Sequence, residues 1–334
     1  MKLTYRGLAL ALAGALVATL PMTALAQKDD KKRSKQEKEE IEAVVKMVDA
    51  AMAGQPAPTD VQMEMHPAFL KSAEARIFVP FTLQLTGLPQ KDAVLYIRVV
   101  DPTQKTDGKK KVEYPWDDVH FVPAAQLAGS PARLNRVFMA KPGTYDVYIM
   151  AKERLAEKAP KNTPVKAGLF KTSVTVPDLS AEFTTSTVLV ADKVTILTAP
   201  LTPDEARERP FAFGSQELEP AVDMDFTKAD ELSIFFQVYN PGLNANGKPD
   251  LTLEYNFHKK EGGEEKFFNK TNPQAVNESN LPPQFDPARF PVPGGITVPL
   301  KSFGEGEYRL EIKITDKTTN KVLTRDIRFN VSAS

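Results

Sequence analysis

Two stretches of strict alternation near the end of the chain limit what it can become. Between 306 and 314, apolar Tyr308, Leu310, Ile312 and Ile314 alternate with Glu307, Arg309, Glu311 and Lys313. After a polar turn, Leu323, Ile327, Phe329 and Val331 resume the same period. A period of two belongs to a strand with one face on a core and one in water, so the pair predicts a terminal β-hairpin. A near twin stands earlier, where Gly143, Tyr145, Val147 and Ile149 are followed by Phe170, Val174 and Val176. Each hairpin opens on Gly-x-Tyr, so the chain reads as two copies of one sandwich design.

The remaining runs fill in that design. Val61, Met63 and Met65 alternate, and 77–85, 93–100 and 134–139 read as further strands of the first copy. Pro80 predicts an edge position or a bulge within its run. In the second copy, 187–190, 194–197, 232–239 and 251–257 repeat the pattern. Phe235 and Phe236 are adjacent, so one of them must face away from the core. Tyr145 and Tyr308 are expected at the corners that close each sandwich. The segments 152–166 and 200–210 read as polar loops. Residues 261–290, rich in Asn, Pro, Glu and Gln, form the longest weakly patterned connection, a type that is functional or disordered. With 334 residues and roughly 150 per domain, two domains fit. The fold class is therefore mainly β: two tandem antiparallel Ig-like β-sandwiches, residues 59–178 and 179–334, after a signal peptide and a short amphipathic helix.

Residues 1–26 have the form of a cleaved signal peptide: basic Lys2 and Arg6, an apolar run from Leu8, and Ala24-Leu-Ala26 at the cleavage site. Pro21 breaks the apolar run short of a membrane span. The expectation is a periplasmic or secreted protein with no transmembrane segment after cleavage. The chain has no cysteine, which excludes a lipoprotein anchor, a thiol nucleophile and any disulfide. Losing Lys2 and Arg6 leaves 41 basic against 43 acidic residues, a charge near −2. That balance gives nucleic acid no electrostatic reason to bind. A charged leader, 27–58, follows. Within it Ser34 and Glu37 form a capping box, and Ile41, Val44, Val45 and Val48 recur at helical spacing up to Gly54 and Pro56. The helix can dock on the first sandwich or on a partner.

Chemistry-bearing residues are few. His66, His120 and His258 stand in separate segments, and no nucleophile elbow, P-loop, dinucleotide fingerprint or zinc pair is present. The expectation is a non-enzyme without cofactor or metal. Asp117-Asp118 and Asp223-Met-Asp225 could offer oxygens to Ca²⁺ or serve as surface charge. The most distinctive stretch is Tyr114-Pro-Trp116-Asp117-Asp118-Val-His120, which holds the sole tryptophan. Tyr114, Trp116, Asp117, Asp118 and His120 are the candidate binding residues, with the aromatics as a stacking platform or protein hot spot. In the opposing reading, Trp116 plugs the end of the first sandwich.

The ending around Gly306-Glu-Tyr308, Ile314-Thr-Asp316 and Ile327-Arg-Phe-Asn-Val331, with Pro220 and the 232–239 strand, resembles the C-terminal sandwich region of exported bacterial GWxTD-domain and VWFA-related proteins. The stretches 77–81 and 143–148 are similar to a sandwich of the same group. The Gly-Trp-x-Thr-Asp signature itself is absent, so the resemblance implies an exported Ig-like architecture and transfers no site. The expected function is a non-enzymatic binding or structural module for an envelope or extracellular protein. A carbohydrate-binding protein built on Trp116, or an unrecognised glycan hydrolase, is the alternative.

Overall fold

The computed structural model describes residues 33–72, 75–104, 112–156, 159–160, 163–199, 201–287 and 289–333. The signal-peptide expectation lies outside them. The chain is mainly β. Helix α1 (Lys35–Met52) comes first. The first sandwich has strands β1 (Gln62–Pro67), β2 (Leu70–Lys71), β3 (Ile77–Thr86), β4 (Ala93–Val100), β5 (Trp116–Val122), β6 (Ala132–Ala140), β7 (Gly143–Glu153) and β8 (Ala167–Val176). The second has β9 (Thr184–Thr185), β10 (Leu189–Ile196), β11 (Ala212–Phe213), β12 (Gln216–Pro220), β13 (Asp225–Thr227), β14 (Glu231–Tyr239), β15 (Leu251–Glu261), β16 (Glu264–Lys270), β17 (Gln274–Val276), β18 (Val292–Pro299), β19 (Gly306–Asp316) and β20 (Lys321–Ser332).

In the first sandwich, a sheet of β3 flanked by β6 and by β1 and β2 faces the sheet β5-β4-β7-β8. Phe81, Leu83, Leu95, Ile97, Phe138, Val147 and Ile149 fill the space between them. In the second, β11-β12-β10-β14-β18 faces β13-β20-β19-β15-β16, and the core gathers Phe236, Tyr255, Phe257, Phe303, Tyr308 and Leu310. Pairing is antiparallel except that the short β13 runs parallel to β20.

The twin hairpins form as read, β7 with β8 and β19 with β20. Each tyrosine closes its sandwich in the same way. The Tyr145 hydroxyl donates to the Lys141 carbonyl at 3.0 Å, and the Tyr308 hydroxyl to the Gly304 carbonyl at 2.7 Å. Both partners lie four residues upstream, the geometry of a tyrosine corner. Gly143 and Gly306 have φ of +151° and +134°, a region that a side chain disfavours.

Three expectations change. Pro80 is not on an edge strand, because β3 is interior to its sheet. It sits where β1 stops and β2 starts along one side of β3, so its missing N–H falls at a gap in the ladder. The segment 261–290 is ordered around β16, β17 and a turn whose Leu281 and Phe285 are buried in the core. Two anchors among prolines and amides leave no period to read. The third change is α2 (Pro203–Glu208), which forms inside the expected 200–210 loop. Thr202 caps it and Glu205 reaches back, with Pro203 at the first turn.

The leader helix docks in cis. Ser34 Oγ accepts from Glu37 N–H at 3.2 Å, and Ser34 N–H donates to Glu37 Oε2 at 2.8 Å, so the capping box is complete. Val44 and Val48 are fully buried against Val94, Tyr96, Tyr148 and Met150 on the outer face of β4 and β7. Strand β4 is thus buried on both faces, odd residues in the core and even ones under α1, which explains its nearly continuous apolar sequence.

The two sandwiches also bury apolar surface against each other. Phe236 enters the second core, whereas Phe235 turns outward and meets Leu70, Phe78, Phe211 and Phe213. Its ring stacks on Phe213 at 4.8 Å. Backbone pairing crosses the same junction. Thr187 N–H donates to the Phe69 carbonyl at 3.0 Å, and Lys71 N–H to the Tyr239 hydroxyl at 2.9 Å.

Candidate functional site

Strand β5 carries four of the five candidate residues, and its pleat separates them. Trp116, Asp118 and His120 point toward the sandwich interior, whereas Asp117 points outward with Val119 and Phe121.

On the outer face, the ring of Tyr114 lies 4.1 Å beneath the guanidinium of Arg98, and its hydroxyl accepts from Arg98 Nη1 at 3.3 Å. Arg98 is only 3% exposed. Its Nη1 also donates to Asp49 of α1 at 2.5 Å, and its Nε to the Tyr96 hydroxyl at 2.7 Å. Burial alone would lower the Arg98 pKa, but the bond to Asp49 outweighs it and the net shift is upward. Burial also raises the Tyr96 phenol, reinforced by Asp117. This face is a lock for α1. A second lock lies near the start of the helix, where Arg154 Nε donates to Glu40 at 2.7 Å.

Trp116 is half-buried and packs against the first core, with its indole N–H enclosed and unpaired. Tyr114 and Trp116 therefore contact different surroundings, one the Arg98 lock and the other the core. They do not share a platform.

The inward face builds a polar cluster at the seam between β5 and β6. The Asp118 carboxylate takes Arg207 Nη2 on both oxygens, at 3.2 and 3.0 Å, and its Oδ2 lies 3.3 Å from His120 Nε2. Arg136 of β6, 1% exposed, donates to Gln126 at 3.1 Å and to the Asn135 carbonyl at 2.7 Å. Gln126 in turn donates to Glu208 at 3.0 Å. Arg207 and Glu208 belong to α2 of the second sandwich, so the cluster ties the two halves together. Burial alone would raise Asp118, but the bond toward His120 and the charge of Arg207 more than offset it, holding its carboxyl at about 2. Burial pushes the His120 imidazole down, and the neighbouring arginines add to this against the pull of Asp118. Sequence reading missed Arg207 and Glu208. The signal was present in the spacing Thr202-Pro-Asp-Glu205, a capping box inside a presumed loop.

Two shallow depressions exist. One, about 250 Å³, lies between the sandwiches and is lined by Thr82, Arg133, Asn135, Lys193, Glu217 and Glu219. The other, about 210 Å³, lies over Asp223, Asp225, Tyr308 and Arg328. Among the described residues no three His, Asp or Glu side chains gather as a metal site, and no helix is long and apolar enough to cross a membrane.

One broad surface has no covering element: the outer face of β13-β20-β19-β15-β16. Arg309 bridges Glu265 and Asp326, both at 2.6 Å, and Arg328 joins Glu265 at 2.7 Å. Lys260 pairs with Glu307 at 2.7 Å and Lys313 with Glu254 at 3.3 Å. Phe267 on β16 and Val322 on β20 are exposed by 60% and 52%.

No protein-family model matches the chain, and no curated protein matches it at a significant level. Among solved structures it is similar to trypsin-activated alpha-2-macroglobulin from Escherichia coli, with 10% identity and a TM-score of 0.24, over 83% of this chain and 17% of that one. A Salmonella alpha-2-macroglobulin mutant gives 12% identity and a TM-score of 0.22, over 84% of this chain and 15% of that one. The chain thus spans less than a fifth of the length of either protein.

Proposed function

We propose that this is an exported, non-enzymatic binding module, periplasmic or secreted, which engages an envelope or extracellular protein through the open face of its second sandwich. The observation that carries the reading is the contrast between sheet faces. The outer face of β5-β4-β7-β8 is spent on α1, and Phe235 and Phe78 turn their sheets toward each other at the junction. The face of β19, β20, β15 and β16 is left to solvent with interleaved charges of both signs and exposed Phe267 and Val322. Charge-laced surfaces of this kind suit a polar protein partner of mixed charge, with an aromatic anchor supplying affinity. They do not suit a polyanion. The buried ionisable groups Arg98, Asp118 and Arg136 are all engaged in contacts that hold elements together, which supports a structural rather than a catalytic use of them.

Site-specific photo-crosslinking tests this. A photoreactive residue at Phe267 is expected to give one saturable protein adduct in native envelope extract. Excess unlabelled protein should compete it away, and Arg328→Glu should weaken it. The same probe at exposed Gln104, on the first sandwich, should give none. Equal adducts from both positions, or none from Phe267, would contradict the reading.

A further inference from the structure

The seam between β5 and β6 brings more cations toward one carboxylate than it can hold. Asp118 is the inward acid of β5, and its side chain is 10% exposed. With His120 neutral, that carboxylate belongs to Arg207, which reaches it from α2. His120 Nε2 is buried 3.3 Å from the same carboxylate but off the line of a hydrogen bond. The charged groups packed around the imidazole are Asp118 from its own strand, Arg136 from β6, and Arg207 with Glu208 from α2. Two negative charges there balance two positive ones. A proton on His120 adds an unmatched charge in a dry site and completes a closer ion pair with Asp118. One cation must then leave. Arg136 is 1% exposed and fixed by Gln126 and Asn135, whereas the Arg207 side chain is 18% exposed on a six-residue helix.

We propose that this cluster is an acid-released clamp, in which protonation of His120 takes Asp118 from Arg207 and frees α2 from the seam of the first sandwich. The direction follows from burial. The closed clamp favours the neutral imidazole, so its stability is fully present above the ordinary histidine range. It is lost as the pH falls below about 6.5, because the released form takes up the proton more readily. Each unit by which closure depresses that pKa is worth about a tenfold change in the ratio of released to closed. Asp118 itself keeps its charge throughout this window, since its carboxyl titrates only near 2.

The absence of cysteine makes the test clean. Ala125, beside Gln126, and Ala206, beside Arg207, are both exposed, so A125C and A206C take spin labels that report the gap across the clamp. Distances measured by pulsed electron resonance on the full mature chain should show one short population at about pH 7.5. A longer population should grow about tenfold on acidification to about pH 5. His120→Gln should remain closed at both, and Arg207→Gln should be released at both. Trp116 emission confirms that each variant is folded, and Arg207→Gln changes a surface helix should the His120 variant not fold. A wild-type distribution that does not change with pH would overturn the clamp. So would a His120→Gln protein that opens as the wild type does, or an Arg207→Gln protein that stays closed.

Discussion

Removing residues 34–53 is expected to destabilise the first sandwich severely and expose it to aggregation. Val44 and Val48 are both fully buried, and burial of a valine side chain contributes at least about 1.5 kcal/mol. The deletion also uncovers Val94, Tyr96, Tyr148 and Met150 as a contiguous apolar patch on β4 and β7. Arg98 loses Asp49 and Arg154 loses Glu40 in the same step. Offsetting this, the helix no longer has to be ordered. A net loss on the order of 3 kcal/mol remains, to be read as a lower urea midpoint and as new binding of an apolar dye. Val48→Asp should reproduce most of the loss, since it places an unpaired carboxylate in the same contact. A truncated protein as stable and as soluble as the full one would show that α1 does not complete this sandwich.

Gly168→Ala should be the most damaging single methyl group in the chain. A β-carbon there would stand 2.2 Å from the Val61 carbonyl oxygen and 2.8 Å from Val61 Cβ. The nearer obstacle is backbone, so no rotamer change relieves it. The strand before β1 must withdraw, taking with it the bonds from Asp60 N–H to the Ala167 carbonyl at 2.9 Å and from Leu169 N–H to the Pro58 carbonyl at 3.0 Å. These bonds close one side of the first sandwich, where β1 meets β8. Overpacking of this kind costs about 1–3 kcal/mol before the lost hydrogen bonds are counted, and each of those adds about 1 kcal/mol. Equilibrium urea unfolding should show the loss. A change below about 0.5 kcal/mol would mean that Pro58–Val61 does not lie against β8 in solution.

The sequence makes the twin hairpins legible because their period survives over nine or more residues and both open on Gly-x-Tyr. The corner role of Tyr145 and Tyr308 follows from the same motif. The Ser34 capping box announces α1, yet nothing local says which surface it covers. Only the doubled apolar character of β4 hints that a second layer exists. Strand β16 escapes notice because an exposed edge strand need not alternate, and β13 because three residues in a parallel pair leave no pattern. The candidate stretch is legible as chemistry and not as a place. Alternation along β5 already separates Asp117 from Trp116, Asp118 and His120, but the partners that give Asp118 and His120 their environment are far away in sequence. Arg207 is 89 residues from Asp118 and Arg98 is 49 from Asp49. Such pairings are products of the fold.

Both the open face and the clamp presuppose that the two sandwiches act as one body, joined by Phe235, Phe213, Leu70 and the bonds around Thr187 and Tyr239. The sole tryptophan lies in the first sandwich, so its fluorescence follows that half alone, whereas far-ultraviolet circular dichroism follows the strands of both. Equilibrium unfolding of the mature chain at neutral pH, recorded by both signals on one sample, is therefore the most direct test. The account predicts a single transition with coincident midpoints. Two separated transitions, with Trp116 reporting only one of them, would contradict it.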